Sequence, residues 1–126
     1  MFEAYGWANL GHDTSLSQVE PQVDALCRAG GAEVTLTRDL NNVGSVVSVA
    51  VSRNHRSESA IDFFRWLAEA ESTAYGLLFV RDDESEHDNE FRVWRLARGE
   101  LGEFSDPFLS PCIPTIEAPY DPETSD

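Results

Sequence analysis

The chain has 126 residues, 41% of them apolar, which suits one domain with a sizeable core. Nine arginines, no lysine and 23 acidic residues leave a formal net charge of -14. That balance repels nucleic-acid phosphates and anionic membrane surfaces and favours a basic partner, although the same charge also serves solubility. The first residues, MFEAYGWANL, contain no basic stretch followed by an apolar core, so cytoplasmic residence is the default expectation.

In chain order, Phe2 to Leu10 reads as an aromatic-rich strand, with Phe2, Ala4, Gly6 and Ala8 on one parity and Tyr5 and Trp7 on the other. Gly6 suits a close neighbouring backbone or a bulge, and Trp7 is expected in the core. Asp13 to Ser17 offers helix caps, Ser17 and Glu20 resembling a capping box. Leu16, Val19, Val23, Leu26 and Cys27 then recur at helical spacing until Gly30 and Gly31. Pro21 is tolerable only in a first turn, which sets the regular helix near Ser17, and Cys27 is expected as a packed thiol on its apolar stripe.

Glu33 to Arg38 and Ser45 to Arg53 alternate as strands around the turn-forming Asn41 and Asn42. Asn54 to Ser59 precedes an amphipathic helix from Ala60 to Glu71, whose apolar surface is widened by Phe63 and Trp66. Tyr75 to Arg81 and Phe91 to Leu96 form the next strands, joined by Asp82, Asp83, Glu84, Glu86, Asp88 and Glu90. So many carboxylates resist burial, so this loop faces water or a basic partner. After Gly99 five prolines break up the chain, while Leu101, Phe104, Phe108, Leu109, Ile113 and Ile116 imply an ordered coil wrapped over the domain.

The order predicts an α+β two-layer sandwich: a mainly antiparallel sheet with two helices on one face. It is approximately ferredoxin-like, with an extra strand and an ordered C-terminal coil. Residues 1–117 are expected as one domain and 118–126 as a flexible tail.

Chemistry-bearing patterns are sparse. His12, His55 and His87 show no HExxH spacing and lie near neither cysteine, and Cys27 and Cys112 form no CxxC or zinc-finger pattern, so no metal site and no cofactor is expected. His55, at a strand-to-helix junction, is expected to bond nearby backbone. A calcium loop starting at Asp82 would need glycine where His87 stands, and strands flank it where helices are required. No phosphate-binding loop is present. Two enzyme-free readings and one enzymatic reading stay open: a specific inhibitor, an acidic protein-interaction adaptor, and a small hydrolytic enzyme using His55 or His87 with a carboxylate.

Several short patterns occur together: Gly6-Trp7, Asn54-His55, Tyr75-Gly76, the acidic turn, Arg98-Gly99 and DPFLSPCIP from Asp106 to Pro114. In this combination, from Phe2 to Glu117, the chain resembles the immunity protein 7 family of bacterial polymorphic toxin systems. The resemblance implies a non-enzymatic cytoplasmic antidote of mixed α and β structure that binds and neutralises a cognate toxin domain. The charge adds a preference for a toxin with a basic surface, possessing for example a nuclease groove. On that reading Asp82, Asp83, Glu84, Glu86 and Asp88 steer and pair with basic toxin residues, and Trp94 supplies a desolvated anchor.

Overall fold

A computed structural model describes residues 1–11 and 16–118. Strand β1 (Phe2–Asn9) leads into helix α1 (Leu16–Arg28), strands β2 (Ala32–Leu40) and β3 (Gly44–Arg53), and helix α2 (Ser59–Ala70). Strands β4 (Tyr75–Asp82), β5 (Arg92–Ala97) and β6 (Glu100–Ser105) follow, then a short helical turn, α3 (Cys112–Thr115). The six strands form one open sheet in the order β2-β3-β1-β4-β5-β6, every neighbouring pair antiparallel.

Because β1 and β2 both run against β3, they are parallel to each other; β3 and β4 are likewise parallel on either side of β1. Each helix therefore crosses over one intervening strand, which is the split β-α-β arrangement of the ferredoxin-like plan. Strands β5 and β6 extend that core as a meander.

The register sorts the side chains into two faces. Ala4 lies between Val51 and Val80, Gly6 between Val49 and Leu78, and Ala8 between Val47 and Gly76. Helix side chains Val19, Val23 and Leu26, with Ile61, Phe64 and Leu67, close over this face and are buried with it. Full burial of one such side chain contributes about 1.5–3 kcal/mol over leaving it in water.

Glycines stand where β1 and β4 lie side by side. A Cβ on Gly6 would strike the Leu77 carbonyl and lie 2.9 Å from Leu78 Cα, and one on Gly76 would strike the Trp7 carbonyl and lie 2.7 Å from Ala8 Cα. The close backbone approach expected at Gly6 is thus present, and it needs glycine on both strands.

Four expectations are corrected. The coil expected after Gly99 starts only beyond Ser105, because Arg98 (φ 55°) and Gly99 (φ 74°) form a two-residue turn with both φ values positive, and β6 pairs back on β5. Trp7 is 40% exposed rather than in the core, since its parity belongs to the face the helices do not cover. Cys27 is exposed: it sits one residue, about a quarter turn, past the buried Leu26. Phe104 and Phe108, expected within a coil wrapped over the domain, are exposed as well. Helix α1 runs from Leu16, but His12 and the caps expected at Asp13 to Ser15 lie outside the described residues, as does the expected tail beyond Ala118.

Candidate functional site

The acidic loop leaves the sheet at Asp82, the last residue of β4, and returns at β5. Asp82 is itself buried. One carboxylate oxygen accepts from Arg56 Nη1 at 3.1 Å, the other from the Glu84 backbone N–H at 3.0 Å, while its carbonyl accepts from Ser85 N–H and Oγ. Such a group turned inward, with all its oxygens engaged, shapes the loop.

The other carboxylates point outward with weaker ties. Asp83 accepts from the N-terminal amine at 2.7 Å and holds it above its ordinary pKa, chiefly through that hydrogen bond. Glu84 pairs with His55 Nδ1 at 2.6 Å. That side-chain contact replaces the backbone bond expected of His55. Glu86 lies 3.6 Å from His87 Nε2, and His87 Nδ1 is 2.8 Å from Glu90. Asp88 is exposed. Exposed pairs of this kind contribute little to stability, about 0–1 kcal/mol each.

The DPFLSPCIP stretch braces the loop from the far side. Asp106 is buried, and its carboxylate accepts from the Phe108 and Leu109 N–H groups at 2.9 and 2.8 Å and from Ser110 Oγ at 3.0 Å. Burial pushes the Asp106 carboxyl up, but these donors outweigh it and hold the group below the usual carboxylate range. Ser110 Oγ accepts from Phe91 N–H, and the Asn89 side chain exchanges two hydrogen bonds with the backbone of Ile113. Loop and coil are therefore one unit. At its end Glu117 forms a two-pronged pair with buried Arg81 at 2.6 and 3.2 Å. Nearby, burial pushes the Cys112 thiol above its ordinary pKa, which makes it a packing residue rather than a nucleophile.

Of the outward carboxylates, Glu86 shares a cleft with Trp94. Trp94 belongs to the helix-covered parity, opposite Leu78, with Arg65 stacked 5.5 Å over its ring. It lines this cleft, of about 180 Å³, with Arg56, Asp82, Glu86, His87, Arg92 and Glu103. The structure thus gathers Asp83, Glu84, Glu86 and Asp88 on the loop surface, turns Asp82 inward and sets Trp94 on the wall of this neighbouring cleft.

The hydrolytic reading expects a pocket that joins His55 or His87 to a carboxylate. His87 opens on a second cleft, of about 400 Å³, with Glu86, Asp88, Glu90, Asp106 and Ser110. There His87 Nδ1 meets Glu90 at 2.8 Å, a histidine–carboxylate pair of the kind that reading expects, while the Ser110 hydroxyl donates to Asp106. Among the described residues no group of three or more His, Cys, Asp or Glu side chains is arranged to hold a metal ion, and no helix is long and apolar enough to cross a membrane.

Residue-level reading of the sequence missed the opposite sheet face, where Tyr5, Trp7, Tyr75 and Phe104 stand in water. The signal was present: Tyr5 and Trp7 share a parity opposite to Ala4 and Ala8. Comparison with known proteins adds one finding. The family model described as Immunity protein 7 matches residues 1–118. No curated protein and no solved structure matches the chain.

Proposed function

We propose that this chain, which belongs to the immunity protein 7 family, is a non-enzymatic antidote that binds one cognate bacterial toxin domain in the cytoplasm and neutralises it stoichiometrically. The observation that carries this reading is the family match over residues 1–118. A net charge of -14 supports a toxin with a basic surface, such as a nuclease groove, since an acidic protein is drawn to it and associates quickly.

In this reading Asp83, Glu84, Glu86 and Asp88 steer the toxin and pair with its arginines and lysines. Asp82 contributes through the loop shape it holds, and Trp94 through apolar contact at the cleft wall. The domain over residues 1–117 acts as a unit, and no cofactor, nucleic acid or membrane takes part.

Co-production with the toxin encoded in the adjacent gene tests the proposal. Rescue of growth together with a one-to-one complex is the expected result; a toxin that still kills and does not bind the protein would end the immunity reading. Reversing Asp83, Glu84, Glu86 and Asp88 to arginine together should slow association by about 10-fold or more at low salt, with a smaller effect at high salt. Unchanged association kinetics would remove the loop from the interface and leave immunity standing.

A further inference from the structure

Loop charges alone do not make a tight antidote, because exposed ion pairs at a rim are individually weak. Trp94 offers little more, being packed against the core and already covered by Arg65. A desolvated aromatic centre is needed, and the sheet carries one on its other side.

There the register aligns Glu33, Ala50, Tyr5, Phe79, Val93 and Phe104 in a row across all six strands. The next row runs from Ser48 through Trp7 and Leu77 to Arg95. Tyr75 adjoins it, its ring edge-on to Trp7 with centroids 5.9 Å apart. Among the described residues both helices pack on the opposite side, and the C-terminal coil reaches this face at Arg81 through Glu117. Tyr5, Trp7, Tyr75 and Phe104 are consequently 45%, 40%, 47% and 52% exposed. Rings of this size at such exposure leave on the order of 400 Å² of aromatic surface in water, within the roughly 300–600 Å² of the largest patch on a typical monomer, which is often functional.

Charge identifies the occupant. Glu3, Glu33 and Glu100 share this face with the exposed Arg95, while Arg81 is neutralised by Glu117. A shallow depression of about 470 Å³ beside Tyr5 is lined by Glu33 and Ala50, and suits a partner's arginine or lysine lying against an aromatic ring. A second copy of the chain would bring another charge of -14 to the same surface, and an anionic membrane would be repelled likewise.

We infer that the uncovered aromatic face of the sheet, centred on Tyr5, Trp7, Tyr75 and Phe104, is the apolar anchor of the interface with the toxin, which meets it with a surface of apolar side chains rimmed by arginine or lysine. The inference rests on the immunity reading and adds where the binding energy resides.

Its test uses the full chain and a catalytically inactivated cognate toxin domain. Binding is measured by calorimetry for the wild type and for the double variant Tyr75→Arg/Phe104→Arg, with thermal unfolding of each. The expected result is a variant that stays folded and binds about 30-fold or more weakly. A folded variant that binds within about twofold of wild type overturns the inference. Should the variant not fold, hydroxyl-radical footprinting of the wild-type chain decides: Tyr5, Trp7, Tyr75 and Phe104 lose reactivity in the complex, and unchanged reactivity overturns the inference. Light scattering of the free protein that shows a dimer dissolved by the same double variant assigns the face to a second copy, also overturning it. A wild-type chain that neither binds nor rescues sinks the immunity reading itself, a result separable from loss of binding confined to the face variant.

Discussion

The two faces of one sheet follow the same alternation and end in different environments. Phe2, Val47, Val49, Leu78 and Leu96 lie under the helices and are buried, whereas Tyr5, Trp7, Tyr75 and Phe104, on the same strands or their neighbours, remain about half in water. Hydrophobicity does not separate the two sets. What separates them is that both crossovers place their helices on one side, so a two-layer fold has a third layer missing. Three of these four exposed rings on the bare side are tyrosine or tryptophan, whose polar tips tolerate water while their rings offer contact area.

That contrast predicts unequal consequences of truncation. The largest effect is expected on the covered face, where Phe64→Ala should cost about 3–5 kcal/mol by chemical denaturation, since it empties a fully buried site. A loss well under 2 kcal/mol would mean that the helix layer is looser than its burial indicates.

An intermediate effect is expected where the coil covers one end of the bare face. Asp106→Asn weakens acceptors for Phe108, Leu109 and Ser110, and should cost about 1–3 kcal/mol and speed labelling of the buried Cys112 thiol. The same site gives a pH dependence. Because the folded-state pKa of Asp106 is lowered from 3.8, its contribution is complete above that value and is lost as pH falls from about 3.8 through the lower folded value. Thermal unfolding followed down through this window should show a steeper decline in wild type than in Asp106→Asn, and parallel curves would refute the assignment.

The smallest effect is expected from Phe104→Ala on the bare face. Its ring is half exposed, lies over Gly102 and stands opposite Val93 in an edge strand, so stability should change by at most about 1 kcal/mol. A larger loss would show that the ring is a packing element after all, and the contrast between faces would weaken accordingly.

Much of the fold was legible because its signals are local. Val47, Val49 and Val51 announce a strand face by alternation, and Ile61, Phe64, Leu67 and Ala68 announce a helix face by spacing. Strand β6 was hidden by the prolines beyond it, though Arg98-Gly99 between Leu96 and Leu101 has the form of a two-residue hairpin turn. The candidate site was legible only in part. Its carboxylates could be counted, but the inward turn of Asp82 depends on Arg56, 26 residues away.

Sequence by itself determined the alternating strands, the two amphipathic helices, the acidic loop and the strongly negative charge, since each is set by neighbours within a few positions. Tertiary structure alone decided that Trp7 meets water, that Trp94 lies on the helix side, and that Ser110 and Asn89 tie the coil to the acidic loop. The reason is physical: alternation divides a strand into two faces, but which face is closed follows from where the crossovers carry the helices, a choice made between segments far apart in the chain.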